Sequence, residues 1–151
     1  MARIKINIPE KIIASVIIPV RITDINYGNH AGNDALVGII HEARVQWLSQ
    51  LGYTELNIEG TGLIMSDLAV EYKNESFYGD LLTITISIGE LTAVSFELFY
   101  SIVNQQNKLI ANAKTGMVCF NYANKKVVIV PEKLRMILAQ TTDDGRQTTE
   151  R

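Results

Sequence analysis

The sequence predicts an α+β fold in which a strongly curved antiparallel sheet wraps around one long central helix. Three observations carry this reading. One helical hydrophobic period falls early in the chain; after Gly60-Thr61-Gly62 the period changes to two and stays there. The chain has 151 residues, 47% hydrophobic and 20% charged, enough for one compact domain and too few for two ordinary ones.

Residues 12–23 are rich in Ile and Val and read as a first strand, closed by the turn and cap formers Asp24, Asn26, Gly28, Asn29, Gly32 and Asn33. From Asp34 to Leu51 the period is helical: Leu36, Ile40, Ala43, Trp47 and Leu51 form one stripe, with Asn33 or Asp34 available as the cap and Gly52 at the end. Val37, Ile39, Val45 and Leu48 lie off that stripe, so the helix is expected to be covered on more than one side. Strands follow at 63–73, around 83–88, at 95–103 and at 109–120. The clearest is the third of the chain, where Thr83, Thr85 and Ser87 alternate with Ile84, Ile86 and Ile88 and so take opposite sheet faces. Asn104-Gln105-Gln106-Asn107 supplies a hairpin loop, Val127–Val130 a possible continuation of the last strand, and Pro131 the first position of a short helix through Leu138. The folded domain is expected to span 1–140. Residues 141–151 contain no hydrophobic side chain to offset their ordering entropy, and read as a loose tail.

Composition narrows the function. Fourteen Lys+Arg against 16 Asp+Glu leave no basic excess, so nucleic acid is not an expected partner. The single Cys119 forms no internal disulfide, and with His30 and His41 there is no cysteine-histidine set of zinc-site spacing, so no metal is expected. The apolar run Ile12–Val20 is broken by Ser15 and Pro19 and is far shorter than the roughly 20 residues of a membrane helix. It reads as a strand and not as a signal peptide, which makes a soluble, cytoplasmic protein the expectation. No phosphate-binding loop, dinucleotide fingerprint or serine-hydrolase elbow is present.

The block from Arg21 through Asp24, Asn26, Gly28, His30, Gly32, Asn33 and Asp34, continuing to His41-Glu42-Ala43-Arg44, resembles the loop-and-helix signature of hotdog-fold acyl-CoA thioesterases of the 4-hydroxybenzoyl-CoA thioesterase type. Looser matches are Glu71-Tyr72-Lys73 with Gly79-Asp80, and Cys119-Phe120 with Pro131-Glu132-Lys133-Leu134, so the resemblance covers roughly residues 15–138. It implies the hotdog architecture, an acyl-CoA substrate, no cofactor beyond the coenzyme A of that substrate, and subunits paired into dimers or tetramers with sites between them. Arg21, Asp24 and His30 match the family's Arg, first Asp and frequent His. The family's catalytic carboxylate, two positions after the first Asp, is here Asn26, which cannot act as a base.

Thioester hydrolysis needs a carboxylate and preorganised donors for the oxyanion. The N–H groups of Gly32, Asn33 or Asp34, at the positive end of the helix dipole, supply donors. Two assignments of the carboxylate are open. In one, Asp24 is the base or nucleophile and Asn26 orients the water or the carbonyl. In the other, Asp34 does the chemistry and Asp24 braces the turn. His30, Gly32 and Asn33 are substrate-contact candidates. Glu42, His41, Cys119, Asp67, Glu71 and Lys73 read as structural or surface residues, and the aromatics Phe77, Tyr78, Phe96, Phe99 and Tyr100 as mostly core. Three functions fit: an acyl-CoA thioesterase first, then a non-catalytic acyl-thioester binder, or a hydratase or dehydratase of the same fold.

Overall fold

The computed structural model describes residues 3–140; the expected tail 141–151 lies outside them. In chain order the elements are β1 (Ile12–Pro19), a 3-10 turn (Ile22–Asp24), α1 (Asn33–Gln50), β2 (Gly62–Tyr72), β3 (Leu81–Leu91), β4 (Ser95–Val103), β5 (Leu109–Asn121), β6 (Lys126–Val127) and α2 (Glu132–Ala139). The sheet runs β1-β3-β4-β5-β2 with every neighbour antiparallel, and β6 adds a short pair to β5. This is the α+β hotdog arrangement, one long helix against the inner face of a curved sheet.

Alternation along the strands decides which face is inner. Ile84, Ile86 and Ile88 of β3, Leu98 and Tyr100 of β4, and Ala113 and Met117 of β5 are all buried, and the Leu36, Ile40, Ala43 and Trp47 stripe of α1 packs into the same core. Burying a side chain of this size is worth about 1.5–3 kcal/mol, so this seam fixes the register of both layers. Most outward residues are partly exposed, but Ser87 and Glu71 are buried although they point away from the helix.

Several expectations are corrected. The first strand stops at Pro19, and the Ile22-Thr23-Asp24 stretch winds into a 3-10 turn because Asp24 accepts the Arg21 backbone N–H at 2.8 Å. α1 starts one residue early, with Gly32 at its cap position and no side-chain cap, so neither Asn33 nor Asp34 plays that part. Of the off-stripe residues of α1, Ile39 and Leu48 are buried as expected, whereas Val45, with Gly38, is exposed, so the cover stops short of that side. Phe96 and Tyr100 are core, whereas Phe77 and Tyr78 are exposed.

The sheet's outer face is not bare. Arg3 donates to the carbonyl oxygen of Tyr72, the Ile6 N–H donates to Glu71 Oε1 at 3.1 Å, and Lys11 accepts from the Ile88 N–H before β1 begins. β2 and β1 are opposite edges of the sheet, and α1 holds the inner face. Residues 3–11 therefore cross the outer face from one edge to the other, a span of four strand spacings, or about 19 Å, that six extended residues cover. Glu71, expected to be solvated or interfacial, is buried beneath this segment and paired with Lys73 at 2.9 Å.

Candidate active site

The loop between the 3-10 turn and α1 is tied by backbone bonds at every turn. Asn26 N donates to His30 O, Ala31 N to Ser76 O at 2.8 Å, and Gly32 N to Asp24 O at 3.1 Å. Asn29 sits at φ 67, a left-handed position that Asn tolerates better than most residues and that reverses the loop. The result returns the chain to the start of α1 directly beside Asn26.

The two acidic candidates differ in what holds them. Asp24 is 7% exposed, and both its oxygens are engaged by Arg21: Oδ2 by the backbone N–H and Nε, Oδ1 by a guanidinium nitrogen at 3.3 Å. Asp34, in the first turn of α1, is exposed. A Cβ placed on Gly32 would stand 2.6 Å from Asp34 Oδ1 and 3.6 Å from Asn26 Nδ2. The two side chains thus converge on the bare α-carbon of Gly32. Asn26 Oδ1 is already taken by the Gly28 N–H at 2.8 Å, which leaves its NH₂ end facing Gly32.

The first-turn N–H groups of α1 have no intrahelical acceptor, and Gly32 brings no side chain to cap them. They form a donor site for negative charge at the positive pole of an 18-residue helix. Two clefts flank it. One, of about 350 Å³, lies between α1 and the end of β1, with Asp24, Gly38 and Glu42 in its walls. The other, of about 200 Å³, is lined by His30, Asn33, Tyr72, Glu75 and Ser76, among others. Asn33 borders one cleft and Ala35 the other; Asp34, between them in sequence, is in the wall of neither.

The remaining candidates separate by position. His30 holds the loop through Nδ1 to Ala31 O at 3.1 Å, and its Nε2 is 3.4 Å from Glu75. His41 pairs with Glu55 at 2.8 Å, well down the helix, and Glu42 accepts from Gln46. Cys119 is buried, its thiol pushed up to about 11 by that burial. Asp67 caps the Gly116 N–H and pairs with Lys114 across a bulge in β2. No cluster of metal ligands occurs among the described residues. Sequence reasoning passed over Tyr72, whose hydroxyl donates to the Asn33 carbonyl at 3.0 Å across 39 residues of chain; no local pattern signals such a contact.

With this geometry in place, the likenesses are informative. A 1,4-dihydroxy-2-naphthoyl-CoA hydrolase of Thermosynechococcus vestitus is 28% identical over 113 residues, covering 73% of this chain and 77% of that protein. The hydrolase of the same name from Acaryochloris marina is 36% identical over 76 residues, 49% of this chain, and the match spans about half, 54%, of that relative. Among solved structures, the 1,4-dihydroxy-2-naphthoyl-CoA thioesterase from Synechocystis superposes with a TM-score of 0.76 at 21% identity, over 83% of this chain and 95% of that one. The profile of the thioesterase-like superfamily matches residues 20–138, most of the described chain, and the chain belongs to that superfamily.

Proposed function

We propose that the protein is an acyl-CoA thioesterase, which hydrolyses an acyl thioester to a carboxylate and free coenzyme A, and that Asp34 is its chemical carboxylate. The observation that carries the assignment is the convergence of Asp34 and Asn26 on Gly32 at the start of α1. Where the resembling family has a carboxylate at position 26, this chain has an amide. A carboxylate from the first helical turn reaches the same place.

In the reaction, Asp34 takes a proton from water as the oxygen attacks the thioester carbon. The first-turn N–H groups of α1 hold the carbonyl oxygen as it gains charge. The C–S bond breaks when the tetrahedral species collapses, and the thiolate leaves with the proton that Asp34 held. Asn26 orients the water or the carbonyl through its NH₂ end, and Gly32 lets the substrate approach the backbone. Asp24, locked to Arg21, braces the loop. His30 and Asn33 contact substrate from the smaller cleft, and no metal or further cofactor enters the chemistry.

The relatives' named substrates make hydroxylated aromatic acyl-CoAs the first class to try. The assembly is a homodimer, open to further pairing as a tetramer, joined along β2. This edge strand leaves Met65 and Leu68 exposed among inner-face positions. No helix among the described residues is long and apolar enough to cross a membrane; we place the protein in the cytoplasm, as one domain over 1–140.

The test is thiol release from short, medium, long and aromatic acyl-CoAs, with Asp34→Asn and Asp24→Asn compared in single turnover. Loss of the bond-breaking step by orders of magnitude in Asp34→Asn, with a much smaller loss in Asp24→Asn, is the expected result. The reverse pattern overturns the assignment. Saturable binding with no release from any substrate establishes instead the acyl-thioester binder that Asn26 at the family's catalytic position favours.

A further inference from the structure

A helix that is to present a carboxylate and an oxyanion site must have its first turn fixed, and α1 has no side-chain cap to do it. Its start is held by backbone bonds from the loop, the Gly32 N–H to the Asp24 carbonyl and the Ala31 N–H to the Ser76 carbonyl. One side chain reaches it from the sheet. Tyr72, the last residue of the edge strand β2, donates its hydroxyl hydrogen to the carbonyl oxygen of Asn33, the residue immediately before Asp34.

We propose that Tyr72 is a positioning residue for hydrolysis, holding the Asn33 peptide so that Asp34 and the first N–H groups of α1 keep their relative placement. This rests on the assignment of Asp34 above. Tyr72 is itself fixed from behind: Arg3 donates to its carbonyl oxygen at 3.3 Å, and the neighbouring Glu71 carboxylate is clamped by the Ile6 N–H and by Lys73. Its phenol therefore has a rigid base on the sheet while its tip touches the catalytic helix. The electrostatics agree with the geometry, since burial first and the Asp34 charge second both hold the Tyr72 phenol above its usual range. The charge of Asp34 is felt at the ring that anchors its neighbour. Tyr72 also lines the smaller cleft with Asn33 and His30, so the contact lies at the substrate's edge of the helix.

The experiment compares wild type, Tyr72→Phe and Asp34→Asn on the acyl-CoA turned over fastest, at a temperature where all three are folded. The Phe variant keeps the ring and removes only the donor. Misplacement of reacting groups by a fraction of an ångström to one ångström costs roughly 10- to 100-fold, so kcat and the single-turnover rate are expected to fall by about tenfold or more. KM, binding of the non-hydrolysable thioether analogue and the melting temperature should stay near their wild-type values. Unchanged kcat, or a loss matched by equal losses in analogue binding or melting temperature, overturns the proposal. If Asp34→Asn keeps full activity, it is the carboxylate assignment that has failed; if Asp34→Asn is inactive and Tyr72→Phe is wild type, only the positioning role has.

Discussion

Arg44 and Tyr100 meet in the middle of the molecule: the α1 guanidinium donates to the β4 phenol oxygen at 3.2 Å, and that oxygen lies 2.8 Å from the Thr115 hydroxyl on β5. Arg44 is 5% exposed, and its charge is answered at 2.7 Å by Glu55 in the loop after α1. The helix is thereby bolted to the sheet by a polar chain inside an otherwise apolar core. Removing one partner of a buried pair leaves an uncompensated charge, which costs about 3 kcal/mol or more in full burial. Since Glu55 is partly exposed, Glu55→Ala is expected to cost about 2–3 kcal/mol in urea unfolding. Tyr100→Phe, which strands an Arg44 donor and takes the hydroxyl partner from Thr115, is expected to cost about 1–2 kcal/mol.

Acid should loosen the protein through the same carboxylate. Burial works to raise Glu55, but the Arg44 and His41 hydrogen bonds outweigh it and hold it below the ordinary glutamate value. Glu71 is lowered by Lys73 first and the Ile6 N–H second. A carboxyl whose pKa is lower folded than unfolded contributes stability that is complete above the unfolded value, about 4.3, and is lost as pH falls through the folded one. Melting temperature is therefore expected to be flat with respect to these two groups between pH 7 and 5.5 and to drop below about pH 4.5. Glu71→Gln should remove part of that acid dependence, and hydrogen exchange should show residues 3–10 released first.

Gly38 lies inside α1 with no atom within 4 Å of where a Cβ would be. Glycine in a helix interior is roughly 0.5–1 kcal/mol worse than alanine, so Gly38→Ala is expected to stabilise the fold by about that amount. Thermal unfolding of the purified variant checks this. A fall in melting temperature would mean that something outside the single chain occupies the space.

Cys119 pairs with Leu63 in the sheet and is 1% exposed, its thiol raised to about 11. The thiolate is the reactive form. Native protein at pH 8 is expected to resist a disulfide thiol reagent for hours and to react stoichiometrically in urea. Rapid labelling of the native state would show that the β2–β5 pair opens.

How much of this was legible in the sequence depends on distance along the chain. The β3 alternation of Ile with Thr and Ser, and the α1 stripe, are local patterns, and the structure keeps both. The 3-10 turn was hidden because Ile22 and Thr23 suit a strand, and only the Asp24 side chain, folding back on Arg21, overrides them. The convergence of Asn26 and Asp34 could be suspected from their closeness in sequence, but their approach depends on the loop reversal at Asn29. The Tyr72 contact, the burial of Glu71 under Ile6 and the Arg44–Tyr100–Thr115 chain join residues 15 to 65 apart, and no periodicity encodes them.

The strand order carries a consequence for how the molecule assembles. β3, β4 and β5 follow one another in sequence and pair as two hairpins, whereas β1 must find β3 and β2 must find β5 across long intervening segments. Loop closure makes such distant pairings slower than local ones, so the central meander is the natural nucleus and the two edges arrive afterwards. The loop bearing Asn26 and Asp34 is strung between those two late edges. On the proposed assignment of Asp34, a partly folded form that lacks either edge has no assembled site, and activity recovered during refolding should lag behind the formation of the central hairpins.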